Sequence, residues 1–474
     1  MFSTARNAPS VAAFPARPQG CPAPTRLDGA GSDGIRRGAG GRLRPVGMEP
    51  DAMDAVDSKG SPAAADPPFT RAETRVVLLE GISARAADMF VAAGYTGVER
   101  HPKALEGAAL VEAVRGAHVL GIRSRSRLTR AVLEAAGPLM AVGCFCIGTD
   151  QVDLRAARSL GVPVFNAPFS NTRSVAELTV GEIVMLLRRV TPRSAGAHRG
   201  EWDKSAEGSY EVRGKTLGIV GYGNIGSQLS TLAEAMGMRV IYHDRTDKLR
   251  HGNTEPVDTL HDLLARSDVV SLHVPDLPGT RGLIGAAEIA AMRPGAYLIN
   301  NARGGVVDLD ALADALRRGH LAGAAVDVFP VEPRSAAERF TTPLQGVDNV
   351  ILTPHIGGST MEAQERIGEE VARKLLSFLD TGSTGGAVNF PHVDQPRDSR
   401  VARFLHVHRN VPGVLGRLNA VLSARGLNVT AQLLQTDGDL GYVMIDTEHR
   451  PGDQGELLAA LCAVEGTIRA RALF

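Results

Sequence analysis

The sequence predicts an α/β protein built from doubly wound parallel sheets, followed by a smaller C-terminal unit in the order β-α-β-β-α-β. Three observations support this prediction. Short apolar segments alternate with longer helical patterns from residue 74 onward. A glycine cluster lies between one of these apolar segments and a helical pattern. A linker rich in Gly, Pro, Asp and Ser, residues 381–400, precedes the last unit.

The predicted elements follow in a regular order. Two long helical patterns stand out, and the first of them begins with a Ser-x-x-Glu capping signature, Ser174 and Glu177. The elements before the linker are Val76–Glu80 (strand), Ala84–Ala93 (helix), Val119–Arg123 (strand), Ser174–Val190 (helix), Thr216–Val220 (strand), Ser227–Met236 (helix), Met238–Tyr242 (strand), Ile351–Thr353 (strand) and Met361–Leu379 (helix). Those after the linker are Val401–Val407, Pro412–Ala424, Leu427–Gln435, Gly441–Asp446, Gln454–Val464 and Thr467–Leu473.

Composition excludes several classes of protein. A chain of 474 residues is long enough for two or three domains. Its 52 basic residues balance 52 acidic ones, so we expect neither nucleic acid nor a membrane as partner. No apolar stretch approaches the ~18 residues of a spanning helix. Four cysteines are too few for a disulfide framework, which indicates a reducing compartment, the cytoplasm.

Residues 1–70 are predicted to be a disordered extension. They are crowded with Ala, Gly, Pro and Arg and show no periodicity, so they offer little apolar surface to bury. The first 27 residues contain Arg but no acidic residue, which is typical of an organellar transit peptide. A tail without function and a start assigned too far upstream are the alternatives, since Met48 and Met53 offer later starts.

Cys144 and Cys146 form a Cys-x-Cys pair within an apolar run. A metal or redox pair is one interpretation, and small side chains on a buried segment are the other. We favour the second and expect no metal site, because free cysteine behaves as a small apolar residue in protein cores.

The glycine cluster has the form G-x-G-x-x-G, from Gly221 through Gly223 to Gly226. A strand precedes it and a helix follows, as in dinucleotide-binding sites, where the pyrophosphate lies over the helix N-terminus. Asp244 ends the next predicted strand, where a carboxylate binds the ribose hydroxyls. A neighbouring Arg245 could accept a 2′-phosphate, but Asp244 should repel that group, so the sequence predicts NAD as cofactor.

Three polar residues, Arg303, Glu332 and His355, follow predicted apolar strands. Ligands bind at the carboxyl ends of strands in such sheets. Alcohol oxidation needs a base near neutral pKa, and a carboxylate beside a histidine orients the ring and raises its pKa. The fork of an arginine grips a substrate carboxylate. Together they predict a catalytic set for a hydroxyacid.

These strings resemble the D-isomer-specific 2-hydroxyacid dehydrogenase family, and in particular its short members with one C-terminal ACT domain. The resemblance covers residues 74–474 and leaves residues 1–70 outside. The stretches that carry it are Gly121–Arg125, Gly143–Thr149, Phe165–Ser174, Gly221–Gly226, Asn301–Asp308, Ala324–Pro330 and Thr353–Gly358.

The resemblance implies a Rossmann-type NAD domain inserted in a discontinuous flavodoxin-like substrate domain, with an ACT domain after them. The implied parts are residues 71–170 and 358–399 (substrate domain and linker), 171–357 (NAD domain) and 401–474 (ACT domain). It also implies oxidation of 3-phospho-D-glycerate to 3-phosphohydroxypyruvate, the first step of serine biosynthesis, with 2-oxoglutarate reduction as a side activity. A homotetramer inhibited by serine is expected.

The resemblance also assigns site residues. Arg303, Glu332 and His355 become active-site residues, with His355 as the proton donor in reduction. The expected cofactor contacts are Gly221, Gly223, Asn224, Ile225, Gly226, Asp244, Asn301, Ala302, Arg303, Asp327, His355, Ile356, Gly357 and Gly358. The expected serine contacts in the ACT domain are His408, Asn410, Gly413 and Asn428. The linker near Asp398 lacks the paired glycine expected at a hinge, which leaves the strength of inhibition open.

A phosphorylated substrate needs a second cationic pocket. Arg123 and Arg125 stand at alternate positions at a strand end and so share one face, with Ser124 between them. Lys204 is a further candidate that could reach a neighbouring subunit. Two alternatives remain at this stage: a family member that oxidises another hydroxyacid, and a non-enzymatic NAD-sensing corepressor.

Overall fold

The computed structural model describes residues 64–66, 70–333, 338–398, 400–448 and 454–473. The strands are β1 (Ala64–Asp66), β2 (Arg75–Leu78), β3 (Gly97–Arg100), β4 (Val119–Ile122), β5 (Ala141–Cys144), β6 (Val164–Asn166), β7 (Thr216–Val220), β8 (Arg239–His243), β9 (Glu255–Pro256), β10 (Val269–Leu272), β11 (Ala296–Asn300), β12 (Leu321–Val326), β13 (Val350–Leu352), β14 (Val401–Arg409), β15 (Val429–Asp437), β16 (Leu440–Glu448) and β17 (Thr467–Leu473).

The helices lie between these strands, and a 3-10 turn, Gly304–Val306, follows β11. They are α1 (Ala84–Ala92), α2 (Gly107–Val114), α3 (Arg130–Ala136), α4 (Leu154–Ser159), α5 (Thr172–Leu187), α6 (Val190–His198), α7 (Asn224–Ala235), α8 (Leu260–Arg266), α9 (Ala286–Ala291), α10 (Leu309–Arg317), α11 (Met361–Thr381), α12 (Val414–Ala424) and α13 (Gln454–Cys462). Among the described residues, no helix is long and apolar enough to cross a membrane.

The first sheet is parallel and has the order β3-β2-β4-β5-β6, which is the flavodoxin-like order. Its core includes a helix from much later in the chain. Ile367, Val371 and Leu375 of α11 are buried with Phe90 and Phe165, which belong to the first hundred described residues. The spacing of four residues places these α11 side chains on one helical face, and burying that face joins α11 to this sheet.

The second sheet, also parallel, has the order β13-β12-β11-β10-β7-β8-β9. Read from β9 to β13, with β7 counted as strand 1, this is the Rossmann order 3-2-1-4-5-6, and β13 is one further strand at the edge. Helix α5 packs on it, since Ile183 and Leu186 are buried with Leu217 and Ile219 of β7. The predicted α/β fold class, with a Rossmann-type and a flavodoxin-like sheet, is confirmed.

The third sheet contains the C-terminal β-α-β-β-α-β unit, whose antiparallel strands have the order β17-β14-β16-β15. Strand β1 adds to its edge, with Ala64–Asp66 parallel to Arg469–Arg471 of β17. The prediction of a disordered extension is therefore wrong for these three residues, because an unpaired sheet edge offers backbone hydrogen bonds that composition alone does not reveal. The rest of that prediction lies outside the described residues, apart from Thr70.

The capping signature at Ser174 was misplaced. Helix α5 begins two residues earlier, after Asn171, so Ser174 lies inside its first turn. The Ser174 hydroxyl shares a 2.8 Å hydrogen bond with Thr360 Oγ1, while Glu177 pairs with Arg173. Both side chains thus have tertiary or i,i+4 partners instead of capping the helix. Thr360 itself caps α11, since its hydroxyl accepts from Ala363 N.

Candidate active site

The carboxyl ends of the Rossmann strands meet along one edge of the second sheet. The loop after β7 holds the glycine cluster, and Asp244 follows β8. The loops after β11, β12 and β13 hold Arg303, Glu332 and His355. Because all these strands are parallel, residues scattered over more than 130 positions share one edge.

His355 and Glu332 form a direct pair. His355 Nδ1 lies 2.9 Å from Glu332 Oε2, and Phe329 N donates to the other carboxylate oxygen at 3.2 Å. The hydrogen bond that His355 donates to Glu332 raises the pKa of His355 against the opposing effect of burial. Burial alone would raise the pKa of Glu332, but the hydrogen bonds and the charges of His355 and Arg303 lower it overall. Since Glu332 engages Nδ1, the other ring nitrogen of His355 is left to exchange a proton with a ligand.

The backbone at His355 is strained. Its φ of 56° lies in the left-handed region that side chains rarely adopt. Asp327 holds this conformation, because its carboxylate accepts from Ile356 N at 2.8 Å and from Gly357 N at 2.7 Å. A hydrogen bond from Thr353 Oγ1 completes the set. Asp327 is 1% exposed, and the hydrogen bonds that the structure describes for its carboxylate all come from the loop that carries His355.

Arg303 is half-buried on a loop that is stabilised by hydrogen bonds between its own residues. The side-chain amide of Asn300 forms two of them, since Nδ2 donates to Arg303 O and Oδ1 accepts from Ala302 N. The guanidinium also donates back to Ala302 O at 2.7 Å. Such a loop can present a cation to a carboxylate with little loss of freedom on binding.

The glycine loop has the geometry that a dinucleotide needs. Gly221 has φ +93°, and a Cβ there would lie 2.7 Å from His273 O. A Cβ on Gly226 would lie 2.4 Å from Gly221 O, whereas one on Gly223 would meet nothing within 4 Å. The middle glycine therefore faces open space over the start of α7, where a pyrophosphate fits.

Asp244 lies beside this loop. Its Oδ2 accepts from Tyr222 N at 2.9 Å and its Oδ1 from the Thr246 backbone at 3.1 Å. Lys248 Nζ lies 3.9 Å away. These contacts fix a partly exposed carboxylate next to the glycine turn, in the place where a ribose would be bound.

A loop after β4 carries the two arginines proposed for a phosphate. Arg123 is half-buried, and Ser124 and Arg125 are exposed. Glu80, which the sequence did not single out, accepts from Arg125 N at 3.0 Å and from Ser126 N at 2.8 Å. Glu80 has a left-handed φ of 62°, and its backbone bends at the end of β2 to reach the loop. The N–H groups of Arg125 and Ser126 are therefore already hydrogen-bonded to Glu80 and do not face a ligand.

The cysteine pair lies at the end of the neighbouring strand, β5, where the Cys146 thiol lies 3.5 Å from Arg123 O. Cys144 is fully buried in the core, and the Cys146 thiol lies 3.1 Å from Gly148 O. Burial raises the pKa of the Cys146 thiol to about 11. A thiol that stays protonated is a poor nucleophile, in keeping with the interpretation of small buried side chains.

The expected cofactor residues fall into three groups in space. Asn224 and Ile225 open α7, and Gly357 and Gly358 follow the His355 turn. Ala302 is 6% exposed and Asn301 is 7% exposed, both on the Arg303 loop. The Asn301 amide points inward, donating to Thr179 Oγ1 at 3.0 Å and to Glu182 Oε2 at 2.7 Å. Glu182, on α5, is a second residue that the sequence did not reveal.

The four expected serine contacts do not meet within one chain. His408 is 3% exposed and pairs in register with Gly441, and the Asn410 amide donates to Gly438 O. Gly413 precedes α12. Asn428, in contrast, donates to Glu448 at the other end of β16. The strand from Gly441 to Glu448 spans roughly 24 Å, at about 3.4 Å per residue.

Comparison with known proteins agrees with this geometry. Residues 180–357 match the D-isomer specific 2-hydroxyacid dehydrogenase NAD binding domain, and residues 404–469 match an AHAS small subunit-like ACT domain. The chain is 55% identical over 404 residues to a D-3-phosphoglycerate dehydrogenase of Haemophilus influenzae, covering 85% of this chain and 98% of that one. It is also 55% identical to the Escherichia coli K12 protein of that name, covering 84% of this chain and 97% of that one.

Solved structures give the same result for the first two sheets. The TT0316 protein of Thermus thermophilus superposes with a TM-score of 0.60 at 35% identity, covering 66% of this chain and all of that one. A D-lactate dehydrogenase of Aquifex aeolicus in complex with NAD and lactic acid gives 0.58 at 28% identity, covering 66% and 99%. The chain is an NAD-dependent oxidoreductase and belongs to the D-isomer specific 2-hydroxyacid dehydrogenase family. Within that family it groups with the D-3-phosphoglycerate dehydrogenases.

Proposed function

We propose that this chain oxidises 3-phospho-D-glycerate to 3-phosphohydroxypyruvate with NAD, as the first step of serine biosynthesis. The observation that carries the proposal is the His355–Glu332 pair at 2.9 Å, on the same sheet edge as Arg303 and the glycine loop. The printed names of the relatives at 55% identity supply the substrate.

In the proposed mechanism, Arg303 binds the substrate carboxylate and so aligns the carbon that carries the hydroxyl. His355, through the ring nitrogen that does not face Glu332, takes the hydroxyl proton, and Glu332 stabilises the imidazolium that forms. NAD, when bound, accepts the hydride that leaves the same carbon. In the reverse direction His355 returns the proton to the oxygen of the 2-oxoacid.

We propose that the nucleotide is held by the glycine loop, Asp244, the Asn301–Arg303 loop and the residues after His355. Open space at Gly223 and the carboxylate of Asp244 support this assignment. Asp327 would act by holding the His355 loop. The domain limits expected from the resemblance stay part of the proposal: 71–170 with 358–399, then 171–357, then 401–474.

The substrate phosphate is proposed to bind Arg123, Ser124 and Arg125. The half-buried Arg123 and exposed Arg125 support this, since they carry charge on a loop that Glu80 fixes at the carboxyl end of β4. Specificity would then come from a second cationic site, with Arg303 holding the carboxylate.

The test is the oxidation of NADH with 3-phosphohydroxypyruvate, compared with hydroxypyruvate and 2-oxoglutarate at equal concentrations. We expect kcat/KM to be highest for the phosphorylated substrate. Equal or higher values for an unphosphorylated 2-oxoacid would assign the chain to another hydroxyacid. NADH binding without turnover of any of the three would support a cofactor-sensing protein.

The effector of the ACT domain is proposed to be serine. Because His408 and Asn428 lie at opposite ends of one sheet, a site containing both requires the ACT domain of a second subunit. This pairing gives a dimer, and a second contact between two such dimers gives the homotetramer that we propose. Trp202 is 87% exposed in the loop after α6 and offers apolar surface for a further contact between subunits. Lys204, two residues later, would belong to the same contact.

Serine inhibition requires that serine bind one arrangement of the subunits more tightly than another. The measurement is the dehydrogenase rate across serine concentrations for wild type and Asn428→Ala, with the mass in solution determined by light scattering. We expect inhibition of the wild type alone. A monomer, or an enzyme indifferent to millimolar serine, would contradict this part. We also propose a cytoplasmic location, tested by imaging a fluorescent fusion of the full chain.

A further inference from the structure

Glu182 is an unusual residue for the interior of this domain. It lies on α5 with 0% exposure, and its Oε2 accepts from Asn301 Nδ2 at 2.7 Å. The other oxygen, Oε1, is buried and has no hydrogen-bond partner among the described residues, and the same holds for Asn301 Oδ1. Buried polar atoms are nearly always paired, so two orphaned oxygens in one contacting pair require an explanation.

A single proton accounts for both atoms. If Oε1 carries a hydrogen it becomes a donor, and the unpaired amide oxygen of Asn301 can accept from it. The carboxyl of Glu182 and the amide of Asn301 then each donate one hydrogen bond to the other and accept one from it. Burial raises the pKa of Glu182 to about 7, against the hydrogen bond from Asn301, and the charge of Asp327 adds to the rise.

The pair lies at the base of the loop that carries Arg303. Asn301 is two residues before Arg303, and its amide also donates to Thr179 Oγ1 at 3.0 Å. The hydrogen bond from Asn300 stays within the loop, whereas those from Asn301 join the loop to helix α5. Since the Arg303 guanidinium bonds to Ala302 O, a shift of this loop moves the guanidinium.

We propose that Glu182 is a positioning residue that acts as a buried neutral acid, fixing Asn301 and, through its loop, the orientation of Arg303 toward the substrate carboxylate. The inference deepens the proposed function and rests on it. The same loop is part of the proposed nucleotide site, but the glycine loop and Asp244 do not contact Glu182, so replacing Glu182 should reduce NADH affinity less than it reduces kcat/KM.

The experiment compares Glu182→Gln, Glu182→Leu and Asn301→Ala with the wild type. Glutamine can give and receive the same two hydrogen bonds, while leucine removes both at similar volume. The control is Glu177→Leu, an exposed position on the same helix. For each we would measure kcat/KM for 3-phosphohydroxypyruvate, the Kd for NADH by fluorescence, and the melting temperature.

We expect Glu182→Gln to stay within about threefold of wild type and Glu182→Leu to lose tenfold or more in kcat/KM, the scale of a misplaced catalytic group. The Kd for NADH should change by a smaller factor than kcat/KM, because the glycine loop and Asp244 stay in place, and the double variant Glu182→Leu/Asn301→Ala should be no worse than either single one. Infrared difference spectra of wild type against Glu182→Gln should show a protonated carboxyl band in the wild type.

Full activity of Glu182→Leu would overturn the proposal, and so would a folded but inactive Glu182→Gln or an ionised carboxylate in the infrared spectrum near pH 6. If Glu182→Leu does not fold, Asn301→Ala decides: a loss in kcat/KM larger than the loss in NADH affinity supports the coupling, and an equal loss in both, or an unchanged kcat/KM, contradicts it. A wild type inactive on 3-phosphohydroxypyruvate would count against the proposed function, whereas the infrared band tests Glu182 without turnover.

Discussion

At the scale of single residues, the strand ends were the informative positions. Arg303, Glu332 and His355 could be predicted because parallel strands bring their carboxyl ends together, and this required no knowledge of tertiary contacts. Glu80 and Glu182 could not be predicted. Each acts on a loop distant in sequence, Glu80 on Ser126 and Glu182 on Asn301, and no local pattern records such a partner.

The His355–Glu332 pair leads to a pH prediction. Oxidation needs neutral His355, so activity falls as pH drops below the pKa of this residue, which Glu332 raises. Glu332→Gln removes that effect, and the acid limb of kcat/KM for oxidation should move to lower pH. Reduction, which needs the protonated ring, should weaken at neutral pH. Rate profiles from pH 5 to 9 in both directions would measure this, and an unmoved acid limb would assign it to another group.

Asp244 leads to a prediction on cofactor choice. Its carboxylate lies against Tyr222 N, where a 2′-phosphate on the ribose would meet negative charge. The wild type should therefore prefer NAD, and Asp244→Ala should narrow the ratio of kcat/KM between NAD and NADP by tenfold or so, about 1.4 kcal/mol. Asp262→Ala, a half-exposed acid on α8, is the control. A wild type that prefers NADP would refute the assignment.

At the scale of elements, type and order were predictable but the ends were less so. Strand β7 and strand β17 have the predicted bounds, because apolar runs flanked by turns define them. Helix α5 begins before its predicted cap, since the Ser174 hydroxyl found a partner on Thr360 across the molecule. Strand β1 was missed because three residues acquire strand structure only by pairing with β17.

The loop after β4 gives an element-scale prediction. Glu80 holds the N–H groups of Arg125 and Ser126, so Glu80→Ala should release the loop that carries the proposed phosphate ligands. KM for 3-phosphohydroxypyruvate should rise by about tenfold, the loss of one or two charge-assisted hydrogen bonds, while kcat with unphosphorylated 2-oxoacids changes little. Glu99→Ala, on the exposed strand β3, is the matched control. Equal losses on both substrates would assign Glu80 to overall structure.

At the scale of the whole molecule, the C-terminal sheet is joined by buried polar contacts to the segment between α11 and β14. Arg403 is 0% exposed and donates to Asp446 at 2.7 and 2.8 Å, and its guanidinium also reaches the carbonyls of Thr381, Gln395 and Pro396. Tyr442 Oη donates to Gly382 O at 2.6 Å. The linker, which lacks paired glycines near residue 398, is thus held by hydrogen bonds at several positions. The sequence could not reveal this, because Asp446, the carboxylate that pairs with Arg403, lies 43 residues further along the chain.

This fastening makes a prediction for the stability of the domain junction. Asp446→Ala leaves a guanidinium buried without its carboxylate, which costs about 3 kcal/mol or more. The melting temperature should fall, and proteases should cut the linker between residues 387 and 398 faster than in wild type. The double variant Arg403→Met/Asp446→Leu carries no charge at these two buried positions and should recover most of the stability, because the desolvation cost of the ion pair disappears with both partners.

Two outcomes would contradict this account. If Asp446→Ala had the melting temperature and the protease resistance of the wild type, the junction would depend on its apolar contacts, among them Leu405 against Gly382. If the double variant were as weak as the single one, the hydrogen bonds of Arg403 to the three linker carbonyls would be the main source of stability.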